Sequence, residues 1–193
     1  MATRLWRVWV GSALWVMGAL ALTWCGWEWH ESFETQARAR RWLKTAPVLH
    51  APVAQSRLPR LRRGDVVAEL GIPRLHVSVM VLEGDDAGIL KLAAGHIPGT
   101  GLPQSSGNIG IAAHRDSFFR PLRFIRNNDI ITLKTPAGLS RFAVSDMEVV
   151  RPVDTTVLSP APRRDLTLIT CYPFFYLGSA PKRFVVHARR LAA

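Results

Sequence analysis

The chain has 193 residues, is 48% hydrophobic and carries a formal net charge of +11, which suits one domain of ordinary size with a tail and is too short for two full domains. Its two cysteines, Cys25 and Cys171, exclude a secreted disulfide framework, because Cys25 lies inside an apolar run. No Cys/His cluster has zinc spacing, and the positive charge fits nucleic acid, a membrane surface or an anionic cell-envelope polymer until its placement decides.

The first element is Val8 to Trp27, twenty residues without a charge. At about 1.5 Å per residue it spans about 30 Å, the thickness of a bilayer core. Trp6, Trp9, Trp24, Trp27 and Trp29 stand near its ends, as an interfacial aromatic belt would. A cleaved signal peptide would be shorter and end in small residues; bulky tryptophans favour an uncleaved transmembrane anchor. Arg4 and Arg7 precede the segment and Glu28, Glu31 and Glu34 follow it, placing the N-terminus in the cytoplasm and the rest outside. Arg38, Arg40, Arg41 and Lys44 oppose that orientation.

Residues 28–63 read as a stalk. Glu28 to Lys44 is charged and helix-compatible, so the helix can continue off the membrane. Pro47, Pro52 and Pro59 then break helices, and Arg57, Arg60, Arg62 and Arg63 cluster before Gly64. Much of the excess charge lies here, away from any single helix or sheet face. That argues against nucleic acid and suits headgroups or wall polymers.

From Gly64 the chain reads as short strands with turn signals. Strands are expected at 65–70, 76–82, 107–113, 129–134, 140–150, 166–171 and 183–189. "KTPAGLS" reads as a hairpin turn. Helical character is confined to 86–93 and 116–126. The fold class is mainly β, a sandwich or barrel with one or two short helices behind an N-terminal transmembrane helix. The expected division is 1–27 anchor, 28–63 stalk and 64–193 β domain.

Cys171 ends the strand "TLITC" and is followed by Tyr172 and Pro173. It reads either as a small core residue or as a nucleophile at a strand end. Three histidines can supply an acid or base. His114 stands where a strand runs out, His96 lies in a Gly/Pro loop and His187 sits within the last strand. Arg183 and His187 share one face of that strand. A half-buried guanidinium demands an anion: Asp165, Asp146, or an oxyanion developing on a substrate. Glu83, Asp85 and Asp86 read as a solvated turn, with no acidic cluster for calcium.

"TLITC" (167–171), "APKRFVVHA" (180–188), "GNIGIAAHRDSFFRPL" (107–122) and "GHIPGTGLPQSSGN" (95–108) together resemble the signature segments of sortases, the membrane-bound cysteine transpeptidases, and in particular class D-like members. The likeness runs from about residue 64 to 190 in consistent order. Ala113 stands where many relatives have glycine, before His114. The resemblance implies a closed, mostly antiparallel β-barrel. It also implies Cys171 as nucleophile, His114 as general acid and base, Arg183 as oxyanion stabiliser, and Thr170 orienting Arg183 or the substrate. No metal or cofactor is implied.

The implied reaction cleaves a Leu-Pro-x-Thr-type sorting motif on surface proteins and joins the acyl group to an amine of a peptidoglycan precursor or a pilin. The stalk arginines would draw the pyrophosphate of a lipid-linked precursor. Two alternatives stand beside this reading: an anchored thiol peptidase that hydrolyses its substrate, and a non-catalytic barrel that binds wall polymer.

Overall fold

The computed structural model describes residues 2–46, 61–103, 105, 107–159 and 165–192, with side chains from Trp9 onward except Glu28. Arg57, Arg60 and the three stalk prolines lie outside the described residues. Helix α1 covers Ala2–Thr45, and its apolar part is long and apolar enough to cross a membrane by length and composition. The remaining elements are β1 (Val66–Ile72), β2 (Val77–Glu83), α2 (Ala87–Leu92), β3 (Ala94–His96), β4 (Asn108–Ala112), β5 (Ile130–Thr135), β6 (Gly138–Val150), β7 (Asp165–Tyr172) and β8 (Lys182–Arg190), with 3-10 turns at Pro73–Leu75, Arg120–Phe124 and Thr156–Leu158.

The strands close into a barrel in the order β1-β2-β3-β4-β7-β8-β6-β5, as the sequence and the resemblance lead one to expect. Closure gives every strand two strand neighbours. All seven expected strands form within two residues of their expected ends. The eighth, β3, falls in a stretch read as loop: its three residues are too few to show a period. The 116–126 segment forms only the five-residue 3-10 turn. Pro136 and Ala137 make the hairpin turn between Thr135 and Gly138, and Gly138 takes φ +132, open only to glycine at low cost.

Period-two alternation points Leu166, Leu168, Ile109, Ile111, Val186 and Ala188 into the barrel, where they join Leu70, Phe119, Leu122, Ile131, Leu133 and Phe142 in one buried core. Each such side chain removed from water contributes roughly 1.5–3 kcal/mol. Gly95 in β3 has no room for a side chain: a Cβ there would run into the backbone oxygen of Gly84.

Part of the segment read as stalk is fastened to the barrel. β3 pairs only with Val81–Glu83 of β2, so the Met80 amide finds no strand partner on that side. Gln36 of α1 supplies one, accepting from Met80 N at 2.8 Å while its own Nε2 donates to Leu92 O at 2.9 Å. Arg40 donates to Ser78 O at 3.0 Å. Ala39 and Leu43 are buried against Met80, Leu82, Ile89 and Ala93. The helix thus closes a seam that a longer β3 would have closed.

Two carboxylates expected in a solvated turn are instead engaged. Asp86 caps α2 by accepting from Gly88 N and Ile89 N, and it takes two hydrogen bonds from Arg63. Arg63 beside it holds its carboxyl well below the usual carboxylate range. Glu83 accepts from His96 Nδ1 at 2.6 Å, one residue of β2 binding its register partner on β3.

A third carboxylate, Asp129, is buried and clamped by Arg74 at 2.5 Å. The hydrogen bond from Arg74 holds its pKa below the ordinary value of 3.8. A carboxyl whose pKa is depressed by folding contributes stability above its unfolded pKa and loses it as pH falls through the folded one. Asp129→Asn is therefore expected to cost about 1–3 kcal/mol at neutral pH. The gap from wild type should narrow as pH drops below 3.8, as measured by urea unfolding at stepped pH. A gap that is constant with pH would remove the ion pair from the account.

Candidate active site

β7 carries the site because its alternation divides it cleanly. Leu166, Leu168 and Thr170 face inward and are buried, while Asp165, Ile169 and Cys171 lie on the outer face. Cys171 is half-buried near the strand's end, so it is not a core residue. Its partner across the antiparallel pair with β8 is Arg183. Partners of this kind hold their Cβ atoms about 4.5–5.5 Å apart.

On the opposite side β7 pairs in parallel with β4, Ala112 standing against Ile169. The pairing carries on through Ala113, whose N–H donates to Ile169 O at 3.2 Å. Ala113 O in turn accepts from Thr170 Oγ1 at 2.8 Å. The next residue is His114, exposed, delivered to the end of β7 at the level of Cys171. His114, Cys171 and Arg183 thus come from three adjacent strands at one end of the same wall.

Thr170 is turned away from the outer face that carries Cys171. It is 2% exposed, faces inward and donates its hydroxyl to Ala113 O. That bond braces the backbone that leads into His114.

Arg183 donates through Nη1 to Ala180 O and Lys182 O and has no carboxylate partner among the described residues. The two acids that could have neutralised it are elsewhere. Asp165 is in register with Arg189 and Asp146 with His187. Along β7, Asp165 is six residues from Cys171, about 20 Å. The guanidinium is left with backbone oxygens beside the thiol.

Two loops frame this end, and Arg115 ties them. Its Nη2 donates to Tyr176 O at 2.7 Å and Gly178 O at 3.1 Å, so the residue after His114 holds the loop after Cys171. Sequence reading passed over Arg115, since its acceptors are backbone carbonyls that no residue type announces. Under the loop, Tyr172, Phe174 and Phe184 form a three-ring cluster with centroids 5.4–6.4 Å apart. Phe174 and Phe184 pack against the core.

The other histidines are committed. His96 is 2% exposed; Nδ1 meets Glu83 and Nε2 lies 2.9 Å from Gly101 O. Both nitrogens face oxygen acceptors, so His96 pins the 97–101 loop and is closed to a substrate. His187 sits between Glu148 at 2.9 Å and Thr167 at 3.3 Å. Thr167 continues the chain to Asn108 Oδ1 at 2.9 Å. This polar network lines a cavity of about 330 Å³ around Asp146, Asp165 and Arg189, on the outer face but at the far end from Cys171. Nearer the middle, Gly110 leaves room for Leu158, Thr100 and Ile97 to lie over β4. A side chain there would push them off. Among the described residues no group of three or more His, Cys, Asp or Glu is placed to hold a metal.

Comparison with known proteins bears on the same residues. The sortase domain family matches residues 70–191. Sortase D of Bacillus subtilis (strain 168) is 30% identical over 129 residues, 66% of this chain and 65% of that protein. Sortase SrtE1 of Streptomyces coelicolor is 30% identical over 131 residues, 58% of this chain and 37% of that protein. The chain thus spans less than two thirds of either relative. Among solved structures, the Clostridium perfringens Sortase D5 transpeptidase shares the fold, with a TM-score of 0.71 at 22% identity over 84% of this chain and 99% of that one. Sortase C-1 from Actinomyces oris gives 0.63 at 26%, again over 84% and 99%. The matched segment runs from β1 to the end of β8 and takes in His114, Cys171 and Arg183; with the closed barrel, it shows that the chain belongs to the sortase family.

Proposed function

We propose that the chain is a class D-like sortase, a cysteine transpeptidase anchored by α1 with its barrel outside the cytoplasmic membrane. One observation carries the reading: a half-buried thiol on the outer wall, flanked by His114 at the end of β4 and by a carboxylate-free Arg183 on β8. Residues 1–27 would anchor, 28–63 would connect and 64–193 would catalyse.

Sγ of Cys171 attacks the threonine carbonyl of a Leu-Pro-x-Thr-type motif, and the electron pair moves onto the carbonyl oxygen. Arg183 stabilises that oxyanion. Collapse breaks the C–N bond, and His114 gives its proton to the departing amine. The thioacyl intermediate turns one difficult displacement into two easier ones. An incoming amine, on a peptidoglycan precursor or a pilin, loses a proton to His114 as it attacks, and Cys171 leaves. Thr170 serves as a positioning residue through Ala113.

The full chain, in detergent with a Leu-Pro-x-Thr-Gly peptide, should release the C-terminal fragment. With triglycine added, it should also form the acyl–triglycine product, read by mass spectrometry. Hydrolysed peptide alone at saturating triglycine would assign a thiol peptidase. No turnover, with tight binding to wall polymer, would assign a binding barrel.

A further inference from the structure

A groove of about 530 Å³ lies between the turns Pro73–Leu75 and Arg120–Phe124. Arg74, His76, Arg120, Arg123 and Arg126 line it, and none of its lining residues is acidic. One acid beside the groove, Asp129, is spent: both its oxygens are held by Arg74, and it also accepts from Arg126 N; Asp116, next in sequence to Ser117 of the lining, is exposed and has no ion-pair partner among the described residues. Arg120, Arg123 and Arg126 have no ion-pair partner among the described residues. Three guanidiniums around one concavity repel one another unless an anion sits among them. Arg123 adds a separate observation. Its guanidinium lies 4.6 Å from the Phe124 ring centroid and 5.3 Å from that of Phe175, yet its Nη1 is buried with no hydrogen-bond acceptor. A buried N–H without an acceptor is costly, and a bound water or anion is one way to meet that cost.

We infer that this groove binds a phosphate-class anion. Guanidinium forks match phosphate oxygens in pairs, and several converging forks suit a group with two negative charges better than a lone carboxylate. The groove also adjoins the reaction. Ser117 of its lining follows His114 by three residues, and Phe175 follows Cys171 by four. If the transpeptidase reading holds, the phosphate belongs to the amine-bearing acceptor; anion binding itself stands without that reading. Position favours a phosphate carried away from the bilayer. Arg40 of α1 touches Ser78, two residues from His76, and lies thirteen residues beyond Trp27, about 20 Å along the helix. Arg63, one of the stalk arginines, is already paired with Asp86 and is a poor rival for this role.

The test is calorimetric titration of inorganic pyrophosphate into the full chain in zwitterionic nanodiscs. Wild type should bind one equivalent, more weakly as salt rises. Arg120→Gln/Arg126→Gln, which alters two exposed side chains and leaves the Arg74–Asp129 clamp, should weaken binding at least tenfold. Lys134→Gln/Arg141→Gln removes the same charge from the β5–β6 hairpin and should stay within twofold. Absence of binding to wild type, or equal losses in the two double variants, would overturn the site. Nanodiscs that contain phosphatidylglycerol in place of the zwitterionic ones should leave the pyrophosphate affinity within twofold at matched salt; competition by that embedded lipid would overturn the placement off the bilayer. The readout is binding, so a chain without transpeptidase activity tests it equally well, and loss of pyrophosphate binding with peptide cleavage intact separates the two readings.

Discussion

Cys171→Ala is expected to remove cleavage of a Leu-Pro-x-Thr-Gly peptide, lowering kcat/KM by at least about a thousandfold. The expectation rests on the absence of any substitute. The other cysteine, Cys25, lies on α1 within its apolar segment, far along the chain from the β4–β7–β8 wall. Water held by His114 would have to replace a covalent route with a direct one, and that loses the division of the barrier into two steps. The variant should keep its fold: the residue is half-buried on the outer face, outside the core cluster, and alanine there should change stability by no more than about 1 kcal/mol. Intact-mass measurement supplies the second readout. Wild type mixed with the peptide should gain the acyl mass on Cys171, and the variant should not. A variant that folds and still cleaves at near wild-type rate would end the thiol mechanism.

Strand alternation and chain order are sequence properties, but the choice of His114, Cys171 and Arg183 rests on the resemblance; from the residues alone Cys171 stays open between a core residue and a nucleophile. "TLITC" already divides into two faces, and the extended register of β7 with β8 then puts Arg183 opposite Cys171. Other features were not legible, for a common reason. Thr170, Gln36 and Arg115 all act on backbone groups distant in sequence: Ala113 O, Met80 N and Tyr176 O. A polar side chain carries no mark of which carbonyl it will meet. Gln36 reads as part of a solvated helix face until β3 proves too short to cover β2. Glu83 reads as a turn acid until the parallel pairing of β2 with β3 brings His96 to it. The arginine groove escaped notice because its members come from separate turns, 73–75 and 120–126, and only tertiary packing makes them neighbours.

Arg183→Ala should lower kcat by about 10²–10³-fold, equivalent to about 2.7–4 kcal/mol of transition-state stabilisation, with KM changed far less. The split follows from when the charge appears. The substrate carbonyl is neutral on binding and becomes an oxyanion only as Sγ adds, so a guanidinium aimed there acts on the transition state and barely on the ground state. Stability supplies the contrast with a structural role. An arginine holding a buried carboxylate would leave that carboxylate unpaired on removal and cost about 3–5 kcal/mol. Arg183 has no such partner among the described residues; its hydrogen bonds go to Ala180 O and Lys182 O at the turn into β8. Arg183→Ala should therefore lose activity while its unfolding midpoint hardly moves. Arg183→Lys should recover little, because an ammonium on a flexible stem cannot present the planar fork that keeps Ala180 O and Lys182 O while pointing at the oxyanion. Steady-state kinetics on the peptide and urea unfolding of the same samples decide the matter. A fall in stability matching the fall in rate would make Arg183 a brace for the β7–β8 loop, and the oxyanion would then have to be held by backbone N–H groups alone.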